Sequence, residues 1–450
     1  MFEKVLVANR GAVAARVIRA LREMNIRSVA VCSEADATLP YLAQADEVYA
    51  IGPAPATSSY LDQDRLMDVL LRSRADAVHP GYGFLSENAD FARRVIAAGA
   101  TFIGPSPRWI EAMGHKTRAR ELMARYGMPM SPSSGLLDDH TESISAAARA
   151  IGYPVLIKPA AGGGGIGMVP ARDEVSLLAA IAQARSVSQK SFGNAELYLE
   201  KLIERPRHIE FQVLADKAGN ACHLFERDCS VQRRHQKVIE ESPAPLLSRR
   251  DMETTAGKIA TLLQTIGYDV IGTAETLFGA DGTCNFLEMN TRLQVEHAVT
   301  EAITGVDLVK SQIRLAAGEP LAAVVPDAPR VNGHAIEVRV YAEDPVRFLP
   351  SPGKLTAFEL PAGDGIRVET GYAQGNAVTP YYDPLLAKII VHATDRPAAI
   401  RRMREALQST GISGVKTNIP FALRVLDDEL FQLGHVHTAL GTEILAGAHA

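Results

Sequence analysis

The chain has 450 residues, 47% of them hydrophobic, which is enough for a large core and predicts two to four domains or one multi-lobed enzyme. A net charge of −5 excludes the strongly basic balance of nucleic-acid and anionic-membrane binders. No apolar run approaches the roughly 20 residues that span a bilayer, the amino terminus has no signal-peptide layout, and Cys32, Cys222, Cys229 and Cys284 form no C-x-x-C pair, so a cytoplasmic protein with reduced thiols is expected.

In chain order, a strand over 4–8, a helix over 12–24 and a strand over 27–32 make a βαβ opening. A helix over 61–72, a strand end at 77–79, a helix over 88–98 and a strand over 101–103 continue the alternation, which predicts a doubly wound parallel-sheet lobe. Gly104-Pro-Ser-Pro107 and Gly127-Met-Pro129 are breaks on either side of a helix over 118–126. Residues 131–203 hold a helix over 142–151, a strand over 153–158, a glycine run, a helix over 173–186 and a strand over 196–200, a set that reads as a mobile lid. Strands follow over 209–214 and 221–225, then a helix over 251–266. A last unit has strands over 335–341 and 388–391 and a helix over 396–408.

The run Ala160-Ala-Gly162-Gly-Gly-Gly165-Ile-Gly167 allows φ > 0 and close backbone approach to a ligand, which suits polyphosphate. A dinucleotide fingerprint at Gly162, Gly164 and Gly167 would have to open a helix at once, but Pro170 intervenes and the helix is expected only near Asp173. A hairpin flap over nucleotide phosphates, with point charges from Lys158 and Lys116, accounts for the run better. The ten residues Glu288-Met-Asn-Thr-Arg-Leu-Gln-Val-Glu-His297 carry two carboxylates, an arginine, two amides and a histidine. Strand alternation would place Glu288, Asn290, Arg292, Gln294 and Glu296 on one face, a wall that a metal, an anion or mutual pairing must hold.

Together the glycine flap, the paired lysines and the Glu-x-Asn strand resemble the ATP-grasp superfamily, in its biotin carboxylase branch. The likeness spans the chain through Ala8-Asn-Arg-Gly11, His79-Pro-Gly-Tyr-Gly-Phe-Leu-Ser-Glu-Asn88, Glu226-Arg-Asp-Cys-Ser-Val-Gln-Arg-Arg-His-Gln-Lys237, Glu337-Val-Arg-Val-Tyr-Ala-Glu-Asp344 and Tyr381-Tyr-Asp-Pro384. It implies an α/β protein of three parts: a doubly wound pre-ATP-grasp lobe at 1–113, an ATP-grasp domain at 114–330 with the lid at 131–203, and a C-terminal α+β biotin carboxylase domain at 331–450. It also implies ATP with Mg2+ (or Mn2+), and biotin as a carrier-bound substrate.

By the same resemblance Lys116, Lys158, Gly162, Gly163, Gly164, Gly165 and Gly167 surround the nucleotide phosphates. Glu200, Lys201 and Leu202 form the hinge that reads adenine, His208 lies near the ribose, and His235 joins the nucleotide site. Glu275, Glu288 and Asn290 offer oxygen ligands to the metal. Lys237, Arg292, Gln294 and the backbone of Val295 hold bicarbonate, Glu296 takes its proton, and Arg339 stabilises the enolate of biotin. The family reaction passes through carboxyphosphate, whose phosphate removes the biotin N1 proton.

Three positions depart from the usual pattern: Ala12 replaces an acidic residue, Ile166 an arginine in the flap, and Ala298, in Glu296-His-Ala298, a proline. The flap and Val378-Thr-Pro-Tyr-Tyr-Asp-Pro-Leu-Leu-Ala-Lys-Ile-Ile390 are similar to urea or guanidine carboxylases. No Ala-Met-Lys-like biotin acceptor occurs in the chain, so the carrier and the carboxyltransferase are expected on separate chains, with a homodimeric subunit and no nucleic-acid or membrane partner. Two rivals are another ATP-grasp ligase that activates a different carboxylate, and a regulatory subunit that binds ATP without turnover.

Overall fold

The computed structural model describes residues 1–160, 166–325 and 328–447. The N-terminal lobe runs β1 (Lys4–Val7), α1 (Gly11–Glu23), β2 (Arg27–Cys32), β3 (Glu47–Ala50), α2 (Gln63–Ser73), β4 (Ala77–His79), α3 (Ala89–Ala97) and β5 (Thr101–Phe102). Its strands are parallel in the order β3-β2-β1-β4-β5, the doubly wound arrangement expected. Every residue of β1 and β4 is buried, as continuous apolar strands between two helical layers must be. Asp62 and Asn88 cap α2 and α3 with their side chains, which sets where those helices begin.

Helices α4 (Pro107–Gly114) and α5 (Lys116–Arg125) lead to the unit expected to be a lid, which comprises β6 (Ser133–Leu136), α6 (Thr141–Ile151), β7 (Val155–Pro159), β8 (Val169–Ala171), α7 (Glu174–Phe192) and β9 (Leu197–Lys201). Its four strands pair in the order β6-β9-β7-β8 around a small core of Val155, Ile157, Leu177, Ile181, Leu197 and Leu199. Asp173 and Ser176 close a reciprocal capping box at the start of α7.

The chain then builds β10 (Arg207–Ala215), β11 (Ala221–Arg233), β12 (Gln236–Ser242), α8 (Arg249–Ile266), β13 (Val270–Phe278), β14 (Cys284–Asn290), α9 (His297–Thr304), α10 (Leu308–Ala316) and α11 (Leu321–Val324). The last part holds β15 (His334–Tyr341), β16 (Gly353–Lys354), β17 (Ala357–Glu359), β18 (Ile366–Thr370), β19 (Ala377–Val378), β20 (Leu385–Ala393), α12 (Arg396–Gln408), β21 (Gly411–Ser413), α13 (Ile419–Asp427), α14 (Glu429–Leu433) and α15 (Leu440–Ala446). One antiparallel sheet of eight strands, β14-β13-β10-β11-β12-β15-β20-β18, joins the two parts, because β12 pairs with β15 through Ile239–Ser242 and Ala335–Val338. Among the described residues no helix is long and apolar enough to cross a membrane.

Candidate active site

Alternation along the eight-stranded sheet separates its two chemistries. In β10, Ile209, Phe211 and Val213 enter an apolar core with Ile259 and Leu263 of α8, which leaves His208, Glu210 and Gln212 to the opposite face. In β15 and β20, Ile336, Val338, Ile389 and Val391 enter a second apolar core, and Glu337, Arg339 and Lys388 take the other parity. A row of buried charge therefore crosses the sheet.

Lys237 of β12 is its hub. Its ammonium donates to Glu210 Oε2 at 2.6 Å, Glu275 Oε1 at 2.7 Å and Glu296 Oε1 at 2.8 Å. The ligand atoms of His208, Glu210 and Glu275 lie within 4.8 Å of one another, a metal-like cluster, but here the ammonium supplies the positive charge. Burial opposes the charge on Lys237, yet the three carboxylates outweigh it and hold the group well above its ordinary range. Burial likewise opposes charge on Glu275 and Glu296; Lys237, with His208 for the first and Arg339 for the second, keeps both carboxyls below theirs.

Arg339 donates from Nε to Glu240 Oε1 at 2.6 Å and from Nη2 to Glu296 Oε2 at 2.9 Å, so both oxygens of Glu296 are held by cations. Behind it, Glu240 of β12 and Glu337 of β15 are direct cross-strand partners, both 0% exposed. Burial pushes them up to about 8 and about 7, and the nearby charge of Glu296 adds to the rise in both. A carboxyl raised in this way favours the folded protein at low pH and loses that contribution as pH rises from about 4.5 through its own value. The melting temperature is therefore expected to carry a downward slope over this window that Glu240→Gln flattens; parallel wild-type and variant curves from thermal melts would contradict it.

The residues expected at the nucleotide lie on the four-stranded unit β6-β9-β7-β8 and on the edge of the eight-stranded sheet. Lys158 of β7 donates to Glu200 Oε2 of β9 at 2.8 Å, and Ser131 Oγ donates to Glu200 Oε1 at 2.6 Å. Burial would raise Glu200, but Lys158 and Arg120 hold it below its ordinary range. Lys116 opens α5, its N–H donates to Ala160 O at 3.2 Å, and its ammonium stands 3.8 Å from Glu288 Oε2. The ammonium of Lys201 turns back to the carbonyls of Gly152 and Tyr153, at 3.0 and 2.9 Å, while the N–H groups of Lys201 and Leu202 donate to Pro132 and Pro154. His208 receives Gln232 Nε2 at its Nδ1 and faces Glu275 Oε2 through Nε2 at 2.9 Å. His235 lies on the exposed turn between β11 and β12, where the surrounding protein and the charge of Lys158 lower its imidazole. Gly167 has φ +80°, and a Cβ there would meet the ring of Pro159 at 3.0 Å, so this end of the flap requires glycine. Gly162, Gly163, Gly164 and Gly165 lie outside the described residues.

Glu275 and Glu288 are paired positions of β13 and β14, and Asn290 Nδ2 donates to Glu275 Oε1 at 2.9 Å. Two carboxylates and an amide carbonyl on neighbouring strands are hard oxygen donors of the kind a divalent magnesium-like ion takes.

A single strand from Glu288 to Glu296 is not what forms. β14 ends at Asn290, and α9 begins at His297 with Glu296 in the capping position, its carboxylate making no capping bond. The N–H of Thr291 donates to Glu87 Oε1 at 3.0 Å, and Arg292 Nε donates to Glu87 Oε2 at 2.8 Å, so a carboxylate from the N-terminal lobe draws the chain away from the ladder. The polar side chains meet all the same. Arg292 donates to Asn290 Oδ1 and Gln294 Oε1, both at 3.0 Å, and the buried Gln294 Nε2 has no partner among the described residues. Beside them opens a cavity of about 470 Å3, lined among others by Tyr82, Gln236, Arg292, Val295, Arg339 and Tyr381.

Sequence reasoning singled out Lys237, Glu275, Arg292, Glu296 and Arg339, which the fold brings together, but assigned nothing to Glu87, Glu210, Glu240, Glu337 or Lys388. Glu87 stood inside a recognised motif, and Glu337 and Lys388 are charged residues that alternate with apolar ones in otherwise apolar strands, which was the available signal.

Three family models match the chain: "Biotin carboxylase, N-terminal domain" over 1–110, "Carbamoyl-phosphate synthase L chain, ATP binding domain" over 115–324, and "Biotin carboxylase C-terminal domain" over 337–441. A biotin carboxylase of Halalkalibacterium halodurans is 48% identical over 446 residues, which cover 99% of this chain and 98% of that one. The 2-oxoglutarate carboxylase small subunit of Hydrogenobacter thermophilus is 49% identical over 440 residues, covering 97% and 93%. The crystal structure of the biotin carboxylase domain dimer of the 2-oxoglutarate carboxylase of Hydrogenobacter thermophilus, in complex with MgADP, ADP and bicarbonate, superposes with a TM-score of 0.94 at 46% identity over 99% of both chains.

Proposed function

The chain belongs to the biotin carboxylase family, and on that premise we propose how its own residues carry the reaction. It is an ATP-dependent ligase that carboxylates biotin on a biotin carboxyl carrier protein, using bicarbonate by way of carboxyphosphate, as the biotin carboxylase subunit of a multi-subunit carboxylase. The observation that carries the assignment of roles is the placement of Glu296 between Lys237 and Arg339, next to an arginine and a buried amide donor with no partner among the described residues.

On this reading the lobe at 1–113, the ATP-grasp domain at 114–330 with its lid at 131–203, and the unit at 331–450 each bring one wall of the site. Lys116, Lys158 and the flap from Gly162 to Gly165 with Gly167 contact the nucleotide phosphates, His208 the ribose, and His235 the nucleotide from the hairpin turn. The hinge of Glu200, Lys201 and Leu202 reads the base with backbone groups, the N–H groups of Lys201 and Leu202 being already donated to Pro132 and Pro154. Glu275, Glu288 and Asn290 would hold Mg2+ (or Mn2+), which when bound neutralises charge on the phosphates.

Lys237, Arg292, Gln294 and the N–H of Val295 hold bicarbonate, and Glu296 takes its proton. A planar anion of this kind suits a guanidinium and two fixed donors. Its arrival also diverts Lys237 from Glu296, and a carboxylate that loses a cationic partner in a buried site gains proton affinity when a base is needed. The deprotonated oxygen attacks the γ-phosphate, ADP leaves, and the resulting carboxyphosphate divides into carbon dioxide and phosphate. Phosphate takes the N1 proton of biotin, Arg339, with donors beyond those spent on Glu240 and Glu296, faces the enolate oxygen, and N1 attacks the carbon dioxide to form carboxybiotin.

The carrier and the carboxyltransferase are separate chains on this reading, which the description of the Hydrogenobacter relative as a small subunit supports. The solved dimer supports a homodimer, and we place the enzyme in the cytoplasm. ADP release measured with magnesium and bicarbonate is expected to rise when free biotin is added. Absence of stimulation would remove biotin as the acceptor, and absence of any ATP cleavage would favour a nucleotide-sensing subunit.

A further inference from the structure

Lys388 lies in β20, 0% exposed, and has no part in the scheme above. Its ammonium donates to the backbone carbonyl of Val295 at 2.5 Å, and it pairs with Glu369 Oε2 at 2.9 Å and Glu337 Oε2 at 3.5 Å. Cross-strand register explains why it is there. Arg339 of β15 pairs with Lys388 of β20, which pairs with Glu369 of β18, so the three side chains stand in one row on one face. Two neighbours in that row grip two consecutive residues of the turn: Arg339 takes the side chain of Glu296, and Lys388 the carbonyl just before it.

The same row holds the other side of Glu296. Glu369 accepts from Arg367 and from Arg19, the latter at 3.2 Å. Arg367 Nη1 donates to Glu301 Oε2 at 2.6 Å, and Arg16 Nη2 donates to Glu301 Oε1 at 3.2 Å, which fixes α9 one turn beyond its start. Glu296 is the residue that precedes α9. Its backbone is thus pinned on one side through Lys388 and on the other through Glu301, with Glu369 common to both arms.

We infer that Lys388 is a positioning residue for bicarbonate activation: by holding the Val295 carbonyl it sets the Val295–Glu296 turn so that the Val295 N–H and the Glu296 carboxylate meet the same anion. Lys388 touches no substrate and acts only through the turn. The inference rests on the bicarbonate reading above and adds a residue on the far side of the turn. An ammonium is suited to the task because its buried charge is compensated by Glu369, so it donates to a carbonyl without being left unpaired.

The test is steady-state kinetics with bicarbonate and ATP varied separately. Lys388→Met is expected to lower kcat/KM for bicarbonate on the order of tenfold to a hundredfold, as small misplacements of reacting groups do. KM for ATP should stay within about twofold, since uniform damage to the fold would move both. Equal losses for both substrates, or none for bicarbonate, would overturn the inference. Should Lys388→Met fail to fold, Glu369→Gln removes the anchor of the ammonium and keeps the side-chain shape; it is expected to give a smaller loss with the same selectivity, and an unchanged kcat/KM for bicarbonate in a folded Glu369→Gln protein would overturn the inference equally. Arg292→Ala in the same assay separates the two levels. If Arg292→Ala also leaves kcat/KM for bicarbonate unchanged, the bicarbonate reading itself is wrong; if it lowers that ratio and Lys388→Met does not, only the role of Lys388 falls.

Discussion

Glu296→Ala is expected to reduce bicarbonate-dependent ATP cleavage by roughly a hundred- to ten-thousand-fold, the usual contribution of a positioned general base, with nucleotide affinity nearly unchanged. The variant should fold, because the cations that meet at Glu296 keep other partners: Lys237 retains Glu210 and Glu275, and Arg339 retains Glu240. The nucleotide contacts assigned to Lys116, Lys158 and the lid lie on other elements, so equilibrium binding of a non-hydrolysable ATP analogue is the control. Loss of that binding in step with turnover would mean that Glu296 serves the nucleotide site and not the proton.

Lys237→Met should have the largest effect on stability. Three carboxylates converge on one ammonium within 2.6 to 2.8 Å, and the side chains of Glu210 and Glu296 are 0% exposed. Removing one partner from a buried ionic cluster costs about 3–5 kcal/mol because it leaves uncompensated charge. The sign of the pH dependence follows from the wild type, where Lys237 holds Glu275 and Glu296 below their ordinary range. Without it, both carboxyls shift upward, and a group with a raised folded pKa contributes its stability at low pH and loses it as pH rises through that value. The gap in melting temperature between wild type and Lys237→Met is therefore expected to be wide in mildly alkaline buffer and to narrow as the pH is lowered. Thermal melts across this range decide it: a gap independent of pH would show that the loss is one of packing.

Much of the architecture was legible because it depends on local pattern. β2 and β4 fall on the expected residues, as does α12, since apolar runs and a capping aspartate before a proline mark them without help from the rest of the chain. β11 runs to Arg233, well past the expected 225, because Glu226, Arg227, Asp228, Ser230 and Gln232 are polar residues that a sequence pattern assigns to solvent. They are buried in the structure, with Arg227 donating to Glu210 and Gln212 and Arg207 donating to Asp228. The partner that makes a charge buriable lies on another strand, and local periodicity holds no record of it.

The stretch from Glu288 to His297 divides along the same line. Its composition alone showed a concentration of charge that a metal, an anion or mutual pairing must hold, and the motifs around it carried the resemblance to the family. The tertiary structure decided how those residues are presented. Glu87, about two hundred residues earlier in the chain, takes the N–H of Thr291 and ends the strand, and a row of charges from three later strands holds the turn that replaces it. The physical reason is range: residue type and spacing encode which groups are available, whereas the desolvation and pairing that fix where each group points, and which carboxyl keeps its proton, depend on neighbours that only the folded chain supplies.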